Sequence, residues 1–271
     1  MSRHDRIHRM PYGFGPCAGP RQGPDGRAFD WTDTPARRAV SVSYLTDAAL
    51  LAGLLPPCFS LAGEPVVTVE VQYFSELEWL AGRGYNTLGV RFPATWHGAR
   101  DTVTGLFLAV LWENLADPIL TGRDELGFAK LYAEIPAPRI LRGRELHGAA
   151  WLGHRFVDIA VDGIEPAEPA APEGAAAGGT LHYKYVPATG TRGEADVAYA
   201  CHTPPGAGGQ RIVSFHRAEG TVRFNPTSWE DMPTQFHIVQ RLAALPVVEA
   251  RGASITETRG GRDLSDQRRL T

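Results

Sequence analysis

The chain has 271 residues, 43% of them hydrophobic, which is ample for a well-buried core, and its formal net charge of −3 comes from acids and bases spread along its length. That spread leaves no electrostatic footprint for nucleic acid or anionic lipid, and no apolar run approaches the roughly eighteen residues of a membrane helix. The expected partner is a small molecule, with neither nucleic acid nor membrane engaged.

Residues 1 to about 30 are rich in Gly, Pro and Arg and lack periodicity, and they read as an irregular strap over the domain. Their first segment, MSRHDRIHRMPYGFGP, is basic but has no apolar core followed by a cleavage site, so no export signal is expected. Thr46 precedes DAALLAGLL and the Pro56-Pro57 pair follows it, the pattern of a short capped helix with a proline stop. The runs VVTVEVQYF, NTLGVRFPATW, TGLFLAVLW, LHYKYVP and RIVSFHR are dense in β-branched and aromatic residues and are separated by Gly, Pro and Asp-Gly signals, which predicts antiparallel strands.

Between about 164 and 179 the Pro/Ala/Gly/Glu-rich segment IEPAEPAAPEGAAAGG predicts a flexible loop inside one domain. Phe236, Val239, Leu242 and Leu245 recur at helical spacing, so PTQFHIVQRLAAL predicts an amphipathic helix. Residues 263–271 are polar and read as a frayed tail, which leaves residues 31–262 as a single β-rich α+β domain with a few short helices.

Cys17, Cys58 and Cys201 are widely spaced and form no CxxC pair, a usage that fits a reducing cytoplasm and gives no disulfide framework. The nine histidines are scattered; His147 and His154 are seven apart, and neither has a carboxylate or second histidine at zinc-ligand spacing, so no metal site is expected. There is no GxSxG, GxxxxGK[ST], HExxH or post-strand GxGxxG, so hydrolase, nucleotide and dinucleotide readings lose their usual support.

Of the 27 basic residues only Lys130 and Lys184 are lysines. Arginine stays protonated in proteins, whereas a lysine amine can be neutralised by its surroundings and attack a carbonyl. Lys130 lies between Phe128-Ala129 and Leu131-Tyr132, an apolar setting that disfavours an ammonium ion. Lys184, in YKYVP, reads as a structural lysine at a strand end. Acid–base candidates near the first lysine are Glu113, Asp124, Glu125 and Tyr132, with Tyr44 and Tyr73 as possible proton donors.

The segment GRDELGFAK, with Gly122, Arg123, Phe128 and Lys130 in register, resembles the lysine motif of the acetoacetate decarboxylase superfamily. PYGFGP at 11–16, YLTD at 44–47, the strand VVTVEVQ, YKYVP around Lys184 and LPVVEA at 245–250 look like landmarks of the same family in the same order. The resemblance implies a curved antiparallel sheet closing into a cone or barrel, commonly within a homo-oligomer, and a cofactor-independent lyase whose lysine condenses with a small keto acid or ketone. Residue by residue it implies Lys130 as the imine-forming nucleophile, Arg37 as an anchor for the substrate carboxylate just before the first strand, and Glu70 as the buried acid of VTVEV. Tyr85, Thr87 and Phe128 fall at substrate-contact positions.

Two departures stand out. The second lysine of the family is Leu131 here, and the acid expected in YNTLGVRFP falls on Thr87 when Tyr85, Gly89 and Pro93 are aligned. The expected function is therefore a Schiff-base lyase on a small keto acid in which true acetoacetate decarboxylation is in question. The alternatives are aldolase or dehydratase chemistry on pyruvate-like substrates through the same lysine, or a non-catalytic small-molecule binder.

Overall fold

The structure is a computed structural model that describes residues 6–206 and 209–271. After the strap, which holds one 3-10 turn at Tyr12–Phe14, come β1 (Ala36–Leu45), α1 (Ala48–Ala52), β2 (Phe59–Leu61), β3 (Val66–Ser75), β4 (Asn86–His97) and β5 (Thr102–Glu113). A crossover made of α2 (Ala116–Thr121) and a π-helical turn (Gly122–Leu126) leads to β6 (Lys130–Tyr132), followed by β7 (Arg139–Leu141), β8 (Arg144–Trp151) and β9 (His154–Pro166). The chain ends with β10 (Thr180–Pro187), β11 (Ala195–Thr203), β12 (Arg211–Phe224), α3 (Phe236–Ala243), β13 (Glu249–Arg259) and β14 (Arg268–Arg269).

The strands form one sheet in the order β14-β11-β10-β5-β4-β3-β1-β13-β12-β9-β8-β7, with β2 beside β4 and β6 beside β5. The mostly-β class with a few short helices is as expected; antiparallel closure is not. β6 and β10 both pair with β5 in parallel, because each reaches it by a long crossover rather than a hairpin. The path ends open at β14 and β7. Where β6 would continue toward β8, a one-residue bridge between Glu134 and Ala150 takes its place, and Pro136 and Pro138, which have no N–H to donate, follow at once.

Alternation along the strands builds two faces. Val67, Val69 and Val71 of β3, Leu88, Val90 and Phe92 of β4, and Trp112 of β5 are buried on one face. The sheet curls so that β9 and α3 close over it: Trp112 packs on Phe156 with ring centroids 5.0 Å apart and donates its indole N–H to Gln235 at 2.7 Å. The other face of the same strands carries Glu70, Gln72 and Phe74, then Thr87, Gly89 and Arg91, and these line a cavity of about 680 Å³. A register shift at Val90/Arg91 leaves Ala109 as an extra residue in β5, which turns both Leu108 and Leu111 toward that cavity.

Three local expectations are corrected. α1 is capped by Asp47, whose Oδ1 accepts from the Leu50 N–H at 2.8 Å, while the buried Thr46 hydroxyl has no partner among the described residues. The tail expected to fray is bound: Leu270 is buried, Arg268 pairs with Asp101 at 2.8 Å, and the Thr271 N–H donates to Asp101 at 2.9 Å. One buried leucine, a distant acid and main-chain pairing with β11 anchor a segment whose composition alone is that of a loose end. In the low-complexity segment the Gly179 carbonyl accepts from Leu106 at 2.9 Å and the Gly178 carbonyl bonds His202 at 2.7 Å, so its last turn is docked on β5 and β11.

Candidate active site

The crossover from β5 decides where Lys130 falls. Because β6 runs parallel to β5, its first residue lies beside the end of its neighbour, pairing Leu111 with Lys130. Glu113, two residues further along β5 on the same face, thereby comes within reach of the lysine side chain. The Lys130 Nζ lies 2.8 Å from Glu113 Oε1 and donates to the Pro118 carbonyl at 2.9 Å. One of its three N–H positions is left for a substrate carbonyl. Lys130 is 7% exposed and Glu113 1%.

The motif around the lysine has a mechanical reading. A Cβ at Gly122 would overlap the Cδ, Cε and Nζ of Lys130, so glycine makes the slot in which the side chain lies. Arg123 donates to the Lys130 main-chain carbonyl at 2.8 Å, and the Phe128 N–H donates back to the Gly122 carbonyl at 3.0 Å. Gly127 closes the π-helical turn at φ +73°, pressed against the Lys184 side chain. The Phe128 ring lies 5.8 Å from the lysine nitrogen. Lys184 donates to the Asp124 carbonyl and so grips this turn from β10. The two lysines of the chain serve one loop.

The setting of Lys130 is less apolar than its flanking residues imply, since a carboxylate stands beside it. Burial pushes the Glu113 carboxyl up from its ordinary range, against the pull of the Lys130 charge, and its Oε2 has no partner among the described residues. The carboxylate lies at hydrogen-bond distance from the amine, 2.8 Å. Glu113 is also the cross-strand partner of Thr87. The acid missing from Thr87 on β4 is thus supplied from the adjacent position on β5. Leu131 follows from alternation: it lies on the opposite face of β6 from Lys130, packed against the hydrophobic core, where a second ammonium would be stranded.

The six residues expected in the site, Arg37, Glu70, Tyr85, Thr87, Phe128 and Lys130, all line the one cavity. Arg37 lies within β1, two positions in, rather than before it. It donates to Thr258 Oγ1 at 3.3 Å and has no ion-pair partner within 4 Å among the described residues; burial pulls its guanidinium below the usual value, with the Glu70 charge opposing. Glu70 is fully engaged: Arg91 lies 2.7 Å away, Ser41 donates at 2.7 Å, and Gln72 donates to its other oxygen. Burial alone would raise the Glu70 carboxyl, but Arg91 and Arg37 with these hydrogen bonds hold it below the ordinary range, so it is ionised at neutral pH. Burial, reinforced by Glu113, pushes the Tyr85 hydroxyl up, so it stays protonated.

The other candidates lie elsewhere. Tyr132 is exposed, Tyr44 is in the core with its hydroxyl pushed up to about 12 by burial, and Glu125 is paired with Arg9 of the strap. Asp124 is exposed and contributes only its main-chain carbonyl to Lys184. Tyr73 faces away from the cavity and contacts His147 at 2.7 Å. Sequence reasoning missed Arg91 and Gln72, and placed Gly122 in the lysine motif without seeing that it makes room for the side chain. Arg91 was detectable as a charge at period two from Thr87 and Gly89, in a strand whose other face is apolar.

No group of three or more His, Cys, Asp or Glu residues is arranged to hold a metal, and no helix is long and apolar enough to cross a membrane, both among the described residues.

An open, curled, mixed sheet with a buried lysine in a cavity that also holds Arg37 and Glu70 defines a class of protein, and the comparisons agree on which. The family model for acetoacetate decarboxylase (ADC) matches residues 9–259, and the chain belongs to that family. A solved structure described as acetoacetate decarboxylase from Legionella pneumophila is 16% identical over 94% of each chain, with a TM-score of 0.63. An acetoacetate decarboxylase-like enzyme from Sphingomonas wittichii RW1 is 17% identical over 94% of this chain and 99% of that one, at 0.62. The enduracididine biosynthesis enzyme MppR complexed with pyruvate is 16% identical over 92% of this chain and 95% of that one, at 0.59. At these identities the structural likeness shows the fold. No curated protein matches the chain.

Proposed function

We propose that the protein is a Schiff-base-forming lyase acting on a keto acid, with Lys130 as nucleophile and Glu113 as its proton partner. The observation that carries this reading is the buried Lys130–Glu113 contact at 2.8 Å, opening on a cavity that also holds the guanidinium of Arg37, which has no ion-pair partner within 4 Å among the described residues. Glu113 takes a proton from the ammonium, and the free amine attacks the ketone carbon, one further N–H proton passing to the oxygen to give the neutral carbinolamine. Glu113 then returns the proton to the carbinolamine oxygen, which departs as water and leaves the iminium. The iminium accepts the electron pair of the breaking bond, so the reaction needs no further cofactor. Arg37 anchors the carboxylate in a bidentate fork. Glu70, ionised and fully bonded, holds Arg91 and sets the charge of the cavity rather than moving a proton.

Of the lyase chemistries, aldol-type cleavage or dehydration is favoured over acetoacetate decarboxylation. Both need the iminium and a proton for substrate carbon, which the Oε2 of Glu113, without a partner among the described residues, can carry; what tells against decarboxylation is Leu131, which leaves the site without the second lysine that the resemblance implies for that reaction. MppR, similar in fold, is described in complex with pyruvate and with a condensation product of pyruvate and imidazole 4-carboxaldehyde. The case for a non-catalytic binder rested on Thr87 and Leu131 together; Glu113 puts an acid beside Thr87, and Leu131 packs against the core rather than lining the cavity.

The test is borohydride reduction in the presence of pyruvate or acetoacetate, with carbon dioxide release followed in parallel. A mass increase in the wild type that disappears in Lys130→Arg is expected, with little carbon dioxide from acetoacetate. Equal labelling of the two proteins would overturn the assignment, and rapid carbon dioxide release would restore the decarboxylase reading.

A further inference from the structure

The charged groups occupy one part of a cavity that is too large for them. At about 680 Å³ it has the size of pockets that enclose drug-sized ligands, and a three- or four-carbon keto acid fills a small fraction of it. One stretch of the remaining wall is aromatic, while Arg262, Asp263 and Pro204 line another. Phe74 follows Glu70 and Gln72 along the cavity face of β3, and its ring stacks on Tyr85 with centroids 5.2 Å apart and planes at 23°. Trp79, from the short turn at Glu78–Leu80, meets Tyr85 edge-on at 6.5 Å and 71°. Trp31 and Pro35, from the segment that leads into β1, line the cavity as well.

The distance along the sheet is set by register. Glu113 pairs with Thr87, and Tyr85 lies two residues beyond Thr87 on the adjoining chain. At about 3.4 Å per residue that is roughly 7 Å along the sheet from the rung of Glu113, whose carboxylate the Lys130 amine reaches from the Leu111 rung. A planar group joined to the ketone through two or three atoms spans that gap. Stacked and edge-on rings offer both a face and an edge to an aryl quadrupole, which an aliphatic chain does not exploit.

We propose that Trp31, Phe74, Trp79 and Tyr85 form a subsite for an aryl group, so that the substrate is a keto acid bearing an aromatic ring a few atoms from its ketone. This rests on the placement of the ketone at Lys130 proposed above. It assigns the two ends of the cavity separate tasks: the lysine end holds the reacting carbonyl, and the aromatic end selects its substituent.

The experiment titrates the full-length protein with pyruvate, 2-oxooctanoate and 2-oxo-4-phenylbutanoate, following tryptophan fluorescence, and then fixes each complex with borohydride. The phenyl compound is expected to half-saturate at a concentration at least about tenfold below either other acid. Trp79→Ala, or Phe74→Leu should the first variant unfold, is expected to erase most of that advantage while weakening pyruvate far less. Equal half-saturation by the phenyl and octyl compounds, or equal weakening of all three in the variants, would overturn the aryl subsite. Failure to fix any keto acid at Lys130 overturns the imine reading instead, and the fluorescence ranking still decides the subsite.

Discussion

Gly122 shows how much of the chemistry depends on one absent methyl group. The lysine side chain occupies the space a Cβ would fill. Alanine is a better helix former than glycine by about 1 kcal/mol, so Gly122→Ala should leave thermal stability nearly unchanged while displacing the amine from Glu113 and the Pro118 carbonyl. The expected result is a loss of at least about a hundredfold in the rate of borohydride fixation, on the scale of a misplaced catalytic group. Retention of the full rate would show that the slot is not needed. Glu113→Gln keeps the shape and removes the proton transfer; a drop of about 10²–10⁴-fold in single-turnover imine formation is expected. Glu70→Gln, by contrast, should act through Arg91, raising the KM for a keto acid more than it lowers kcat.

At the scale of elements, the sequence revealed the strands that are apolar on one face and continuous, and the helix α3, because those patterns repeat within a few residues. It gave no sight of β8, β9 or β13, whose glycines and scattered charges break the run, nor of β14, which is two residues long. It brought Lys130 forward but left Glu113 as one acid among several. Their contact follows from a parallel pairing between β5 and β6, and parallel partners joined by a crossover have no local signature. The replacement of the acid at Thr87 was illegible for the same reason, since it depends on cross-strand register. The tail carries a prediction of its own. Leu270 is buried at 2% exposure beside the Arg268–Asp101 pair. Leu270→Ala should cost about 2–5 kcal/mol in urea unfolding, whereas a tail that merely rests on the surface would cost almost nothing.

For the whole molecule, buried titratable groups set how stability depends on pH. His182 is fully buried, bonds the Gly127 carbonyl at 3.0 Å and packs tilted against Phe128 with ring centroids 4.3 Å apart, and burial pulls its imidazole down to about 4. Its ordinary value is near 6.5, so the folded chain binds fewer protons than the unfolded one between these values. The stability it contributes is complete above about pH 6.5 and is lost as pH falls toward 4, by about 3 kcal/mol. The lowered carboxyl of Glu70 acts in the same direction at still lower pH, its contribution present above about 4.3 and lost below. Urea unfolding at pH 7, 5.5 and 4.5 should show this fall, and His182→Asn should flatten it; a slope unchanged by that substitution would place the effect elsewhere.

The account as a whole turns on the amine of Lys130, and the scarcity of lysine makes it unusually easy to test. With Lys130 and Lys184 as the two lysines of the chain, peptide mapping after borohydride reduction with [2-13C]pyruvate assigns an adduct without ambiguity. The result predicted is a reduced carbon label confined to the peptide that carries Lys130 and absent from Glu113→Gln on the same time scale. A label on Lys184 or the N-terminus, with Lys130 unmodified, would contradict the account.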